Sequence, residues 1–187
     1  MKLFNRISVL TAFVCFLFPQ DSFNVDIDPT GVSQLIIFQE SISGLSNGDQ
    51  IGIFDNEGLT NSNDCSSQYG ELLVGVGVWE GVQLETVSIG SVDNCAFGGF
   101  QLPGYQEGNS IVIEVFRPDA EGDDGTLYST TPTYSAGTGT FGDLFMAVSE
   151  LELIDPDPPY YNVDLDPTGI SQLIILQNSI TDLAVGD

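Results

Sequence analysis

Apolar and polar residues alternate at short range almost everywhere beyond the first twenty positions, and a period of two predicts strands. Phe23, Val25 and Ile27 alternate with polar residues ahead of Asp28-Pro29-Thr30-Gly31, which has the Asp, Pro and Gly placement of a type I turn. Leu35-Ile36-Ile37-Phe38 is apolar on both faces, as expected of a strand inside packed sheets, and Ser41 to Leu45 leads to the turn pair Asn47-Gly48. Ile51 and Ile53 open the next strand. From Leu73 to Trp79, Val74, Val76 and Val78 fall on one face, while Gly75 and Gly77 leave the other bare for a backbone or ring to pack close. Trp79 is expected in the core. Val82 to Ile89 reads as a strand with a parity break after Leu84, Ile111, Ile113 and Val115 as a regular one, and Leu127 to Tyr134 and Phe141 to Leu153 complete the set. No window after the leader carries helical periodicity. About eight short strands separated by Gly, Pro, Asn and Asp turns predict an all-β protein, an antiparallel β-sandwich of immunoglobulin-like or jelly-roll-like type.

One stretch returns. Phe23 to Asp49 recurs from Tyr161 to Asp187, 138 residues on, with 18 of 27 positions identical. Such self-similarity marks a tandem repeat, and one period is a typical domain size. The expected organisation is a leader over 1–22, a repeat unit over 23–153, a linker over 154–160 and a truncated second copy over 161–187. The second copy stops where the first runs on into Gln50-Ile51-Gly52-Ile53, so a longer parent is expected. The linker, Asp155-Pro156-Asp157-Pro158-Pro159, reads as stiff and extended.

Charge narrows the partners. The formal net charge is −24, with 27 acids, and Lys2, Arg6 and Arg117 are the only cations. A surface of that sign repels phosphate backbones and anionic lipid heads, so neither nucleic acid nor acidic membranes are expected partners. Disorder is the usual alternative for acidic chains, but 42% hydrophobic residues and 12 Phe argue for a packed core. Lys2 and Arg6 precede the apolar run Ile7 to Phe18, which is too short to span a bilayer and has the pattern of a secretory signal, with no evident cleavage motif. Lipidation at Cys15 fits poorly with Val14 before it. After export, Cys65 and Cys95 are the pair left, and an oxidising compartment predicts their disulfide.

Histidine is absent and Lys2 is the only lysine, which excludes Ser-His-Asp and Cys-His catalysis, histidine-bound zinc, a Walker loop and a Schiff base within these residues. Carboxylate chemistry remains. Glu80, Glu85, Glu107 and Glu114 are the acids available to a glycosidase, yet their spacing matches solvated faces equally well, and no enzyme is expected. Asp155, Asp157, Asp164 and Asp166 bracket the junction between copies and are candidate calcium ligands, the competing reading being turn initiation and linker solubility. Asp119, Glu121, Asp123 and Asp124 precede Gly125 with acids at three calcium-loop positions but Asp124 where glycine is required, so a hairpin turn is expected there. Gly90 to Gly108 is the longest irregular stretch. It carries Phe97, Phe100 and Tyr105, which would stack on sugar faces if the unit binds carbohydrate.

Gly48-Asp49-Gln50-Ile51-Gly52-Ile53-Phe54-Asp55, the Cys65 that follows, the strand closing on Trp79, and Gly104-Tyr105-Gln106-Glu107-Gly108 leading into Ile111 resemble repeats in large secreted surface proteins of Bacteroidetes-like and marine bacteria. The resemblance covers most of one period and implies a spacer or adhesion module on a multidomain exoprotein. The expected function is therefore a non-catalytic, secreted or cell-surface repeat whose partners are other copies or extracellular ligands, glycans among them. A carbohydrate-binding module and a fibre subunit assembled by strand exchange, through Leu173 to Leu176, are the alternatives.

Overall fold

The computed structural model describes residues 23–119 and 125–156. The chain divides into two compact units, Met1–Ile154 and Asp155–Asp187, and every strand among the described residues lies in the first. These are β1 (Ser33–Phe38), β2 (Gln50–Leu59), β3 (Tyr69–Val78), β4 (Leu84–Ile89), β5 (Val92–Asp93), β6 (Gln101–Leu102), β7 (Val112–Pro118), β8 (Gly125–Ala136) and β9 (Phe145–Ile154). A single turn of 3-10 helix spans Cys95–Phe97. The all-β expectation holds. The antiparallel sandwich is not confirmed: seven strands form one mixed sheet in the order β3-β2-β7-β8-β9-β1-β4, nearly closed into a barrel. β5 and β6 make a separate two-stranded ribbon.

Two features explain the single sheet. Irregularities in the β2-β3 and β8-β9 registers bend it, as bulges do. The glycines of β3 then let its two edges meet face to face. A Cβ on Gly75 would sit 3.0 Å from the Val87 carbonyl oxygen, and one on Gly77 would sit 2.6 Å from Thr86 Oγ1. The bare face read from sequence is thus where β4 packs. The valine stripe is corrected by the bulge that matches Ile53 to Gly75 but Phe54 to Leu73. Val74, the extra residue, turns inward and is fully buried, whereas Val76 and Val78 face solvent. β4 shows no parity break either. It keeps Thr86 and Ser88 inside and Val87 outside, the inward residues lying over the bare backbone of Gly75 and Gly77.

β1 lies next to the edge strand of the sheet, between β9 and β4, antiparallel to β4 and parallel to β9. The parallel pair escapes a reading of local turns because its partners are the first and last strands, with Leu35 opposite Phe145. Ile36 and Phe38 point into the core with Ile51, Ile53, Val115 and Val148, and Trp79 is buried with them. Asn47-Gly48 forms the expected turn, with the Asp49 amide donating to the Ser46 carbonyl. Phe23 to Ile27 makes no ladder, contrary to its alternation. Phe23 instead lies over Gly52 on the outer face of β2, edge-on to Phe54 with ring centroids 5.5 Å apart. β7 and β8 pair antiparallel down to Pro118 opposite Gly125, and the turn expected at Glu121, Asp123 and Asp124 lies outside the described residues.

Candidate functional site

The long loop after β4 is fixed by a polar cluster. Gln101, on β6, is almost completely buried; its side-chain oxygen accepts from Asn61 Nδ2 at 2.9 Å and the Ser67 amide at 3.0 Å, and its nitrogen donates to Ser67 Oγ at 2.9 Å and Asp93 Oδ2 at 2.8 Å. All polar atoms of that amide group find partners, as burial demands. Asp93 also accepts from the Cys95 amide at 2.9 Å, and that bond, then the one from Gln101, holds its carboxyl below the usual range. Asp64 is lowered in the same way, first by the Ser66 amide and next by the Ser66 hydroxyl. Cys65 and Cys95 are joined, with Cα atoms 6.0 Å apart. Gly98 ends the 3-10 turn in the left-handed region at φ 78°, where a side chain would be strained.

This frame holds Phe97 out into solvent. Phe97 is 89% exposed and Phe100 46% exposed. Tyr105 does not join them: it is buried and stacked on Phe141, with centroids 4.4 Å apart and planes 5° from parallel. Its place as a sugar platform is corrected, since the loop returns to the β4 end there and the Tyr105 amide donates to the Ile89 carbonyl. Burial, and secondarily Glu107, raises its hydroxyl pKa.

A site missed by sequence reasoning surrounds Arg117, at the end of β7. Its Nε donates to Asp49 Oδ1 at 2.9 Å, and its Nη2 to Asp49 Oδ2 at 2.6 Å and to the Gly44 carbonyl at 2.8 Å. Asp49 is 1% exposed and also accepts from the Ser46 amide. The guanidinium lies 5.4 Å from the Tyr128 ring centre, and a bidentate, stacked cation of this kind is a task for arginine. Hydrogen bonding to Asp49 is the main cause that raises the Arg117 pKa. The group forms one wall of a cleft of about 750 Å³ that also includes Ser41, Ser43 and Glu150. The signal was present: a body with one cation and a repeated Asp49 has an obvious pair for any buried acid. Asp55 is buried without a cation, and Gln106 N, Glu57 N and Asn109 Nδ2 donate to it instead.

The remaining acids are dispersed. Glu80, Glu85 and Glu107 are exposed on three separate segments, and Glu114 is half-buried on β7. Burial first and Glu71 second raise the Glu114 carboxyl. Asp155 is exposed; Asp157, Asp164 and Asp166 lie outside the described residues, as do Glu121, Asp123 and Asp124, while Asp119 is exposed at the end of β7. Among the described residues no three His, Cys, Asp or Glu side chains are grouped to hold a metal, and no helix is long and apolar enough to cross a membrane. Comparison of the chain with protein families, with curated proteins and with solved structures finds no match.

Proposed function

We propose that the chain is a non-catalytic repeat module of a secreted or cell-surface bacterial protein and serves as a spacer that resists tension. The observation that carries this reading is the parallel pairing of the first and last strands of the seven-stranded sheet, Leu35 to Phe38 against Phe145 to Val148. Pulling the two ends of the unit drags β1 and β9 past each other along their length. Their hydrogen bonds are then loaded together in shear, whereas an antiparallel terminal pair would open one bond at a time. The Gln39 amide extends the clamp by donating to the Val148 carbonyl at 3.0 Å. A module that recurs in sequence and is gripped in this way suits a stalk under flow. Single-molecule pulling of the whole chain tests it. Extension through the ends is expected to show one abrupt unfolding event at higher force than extension through cysteines placed on β3 and β7. Equal forces in the two geometries would remove the reading.

A second reading, binding of carbohydrate by stacking, is supported by Phe97, held almost wholly in water by a disulfide-fixed turn. An exposed aromatic on a rigid base loses little entropy on binding. Glycan-array retention of the wild-type chain, lost in Phe97→Ala with an unchanged melting curve, is the expected result if the tip is adhesive. Equal retention of the two proteins would discard it.

A further inference from the structure

The seat occupied by Phe23 to Asp49 holds that segment by specific polar contacts as well as by burial. Thr30 Oγ1 donates to the Gly90 carbonyl, the Gln34 side-chain oxygen accepts from the Gly142 amide at 2.7 Å, Gln39 Nε2 donates to Ser135 Oγ at 2.8 Å, and Asp49 binds Arg117. The second copy carries the same four side chains at the same spacing, as Thr168, Gln172, Gln177 and Asp187. Ile36, fully buried, has Ile174 as its counterpart. These contacts therefore do not tell one copy from the other.

Register adds a geometric reason. Ile154, at the end of β9, lies in one row with Ser129, Glu114 and Gly52, and Phe23 covers Gly52. Three strand spacings separate Ile154 from Gly52, about 14 Å at most along the sheet. The residues from Ile154 to Tyr161, the counterpart of Phe23, reach about 22 Å when extended. Residues 50–187 thus contain every part of the unit in permuted order, with a connection long enough to join them.

We propose that the seat is a recognition site for Tyr161–Asp187 of the same chain, so that the two copies compete for it. Two differences favour the first copy. Leu176 replaces the fully buried Phe38 and fills less of the core, and Asp182 replaces Gly44, whose φ of 100° suits glycine. The exchanged state is accordingly the minor one, by roughly ten- to a hundredfold.

The test uses the whole chain. Ile36→Asp puts a charge into the core of the first copy only, and is expected to keep a cooperative, strand-rich transition at lower temperature, because the second copy takes the seat. Ile36→Asp with Ile174→Asp is expected to lose that transition. If the single variant is as unfolded as the double, the proposal is wrong. A cysteine pair reads the exchange directly: Ser33 faces Ile89, so Ile89→Cys with Ser171→Cys should crosslink within monomers in the Ile36→Asp background, and Ile89→Cys with Ser33→Cys should do so in the otherwise unchanged chain. Absence of that crosslink, or its formation only between molecules, would overturn it.

Discussion

Arg117 shows how much one residue can carry in a chain with so few cations. Truncating it as Arg117→Met leaves Asp49, 1% exposed, as a buried charge without its partner. Loss of about 3 kcal/mol is expected in urea unfolding, with part recovered when Asp49→Asn is added. Acid response follows from other residues. Asp64 and Asp93 have folded pKa values below the ordinary 3.8, so their contribution is present above that value and lost as pH falls through the folded ones. Glu114 acts in the opposite sense: raised above 4.5, it favours the folded state below that value and loses this contribution as pH rises through its folded pKa. Unfolding midpoints followed from pH 2 to pH 7 should therefore decline less steeply below about pH 4 in Asp64→Asn with Asp93→Asn. Glu114→Gln should be more stable than wild type at pH 7. At this scale the sequence showed Trp79 as core and Cys65 with Cys95 as a pair, since size and count decide those. It could not separate Tyr105 from Phe97, because which loop aromatic turns inward depends on contacts from residues far away in sequence.

Among elements, β3 decides the shape. Gly77→Val forces a branched side chain against Thr86 and Leu84, and should cost about 1–3 kcal/mol by overpacking. Val76→Thr, on the exposed side of the same strand, should cost little; similar losses from the two would mean that β4 does not pack there. The disulfide fixes a different element. It closes a separation of 30 residues, and Cys65→Ser with Cys95→Ser should lower stability by about 3 to 4 kcal/mol. Most strands were legible from alternation. The bulge at Val74 was not, because one extra residue reverses which side faces the core without altering the local pattern of valine and glycine. The polar interior of β4 was hidden for a related reason: Thr86 and Ser88 look like surface residues until the glycines opposite them are placed.

For the whole molecule the net charge of −24 sets the response to salt. Self-repulsion among exposed carboxylates should weaken as the screening length contracts, so the melting temperature is expected to rise between about 0.01 M and 1 M sodium chloride. A flat or falling curve would place the stabilising electrostatics in pairs such as Arg117 and Asp49 rather than in the surface field. Fold class was readable from strand patterning, whereas closure into one curled sheet was not, since two apolar-faced sheets and one bent sheet give the same alternation. The position of β1 also governs how the unit is assembled in time. Leu35 meets Val87 and Phe145, partners separated from it by 52 and 110 residues of chain. Closing such long loops is slow compared with forming the β7-β8 hairpin. Refolding is expected to be a late, rate-limiting insertion of β1 between two strands already in place, and pulse-labelled amides of β1 should gain protection after those of β7 and β8.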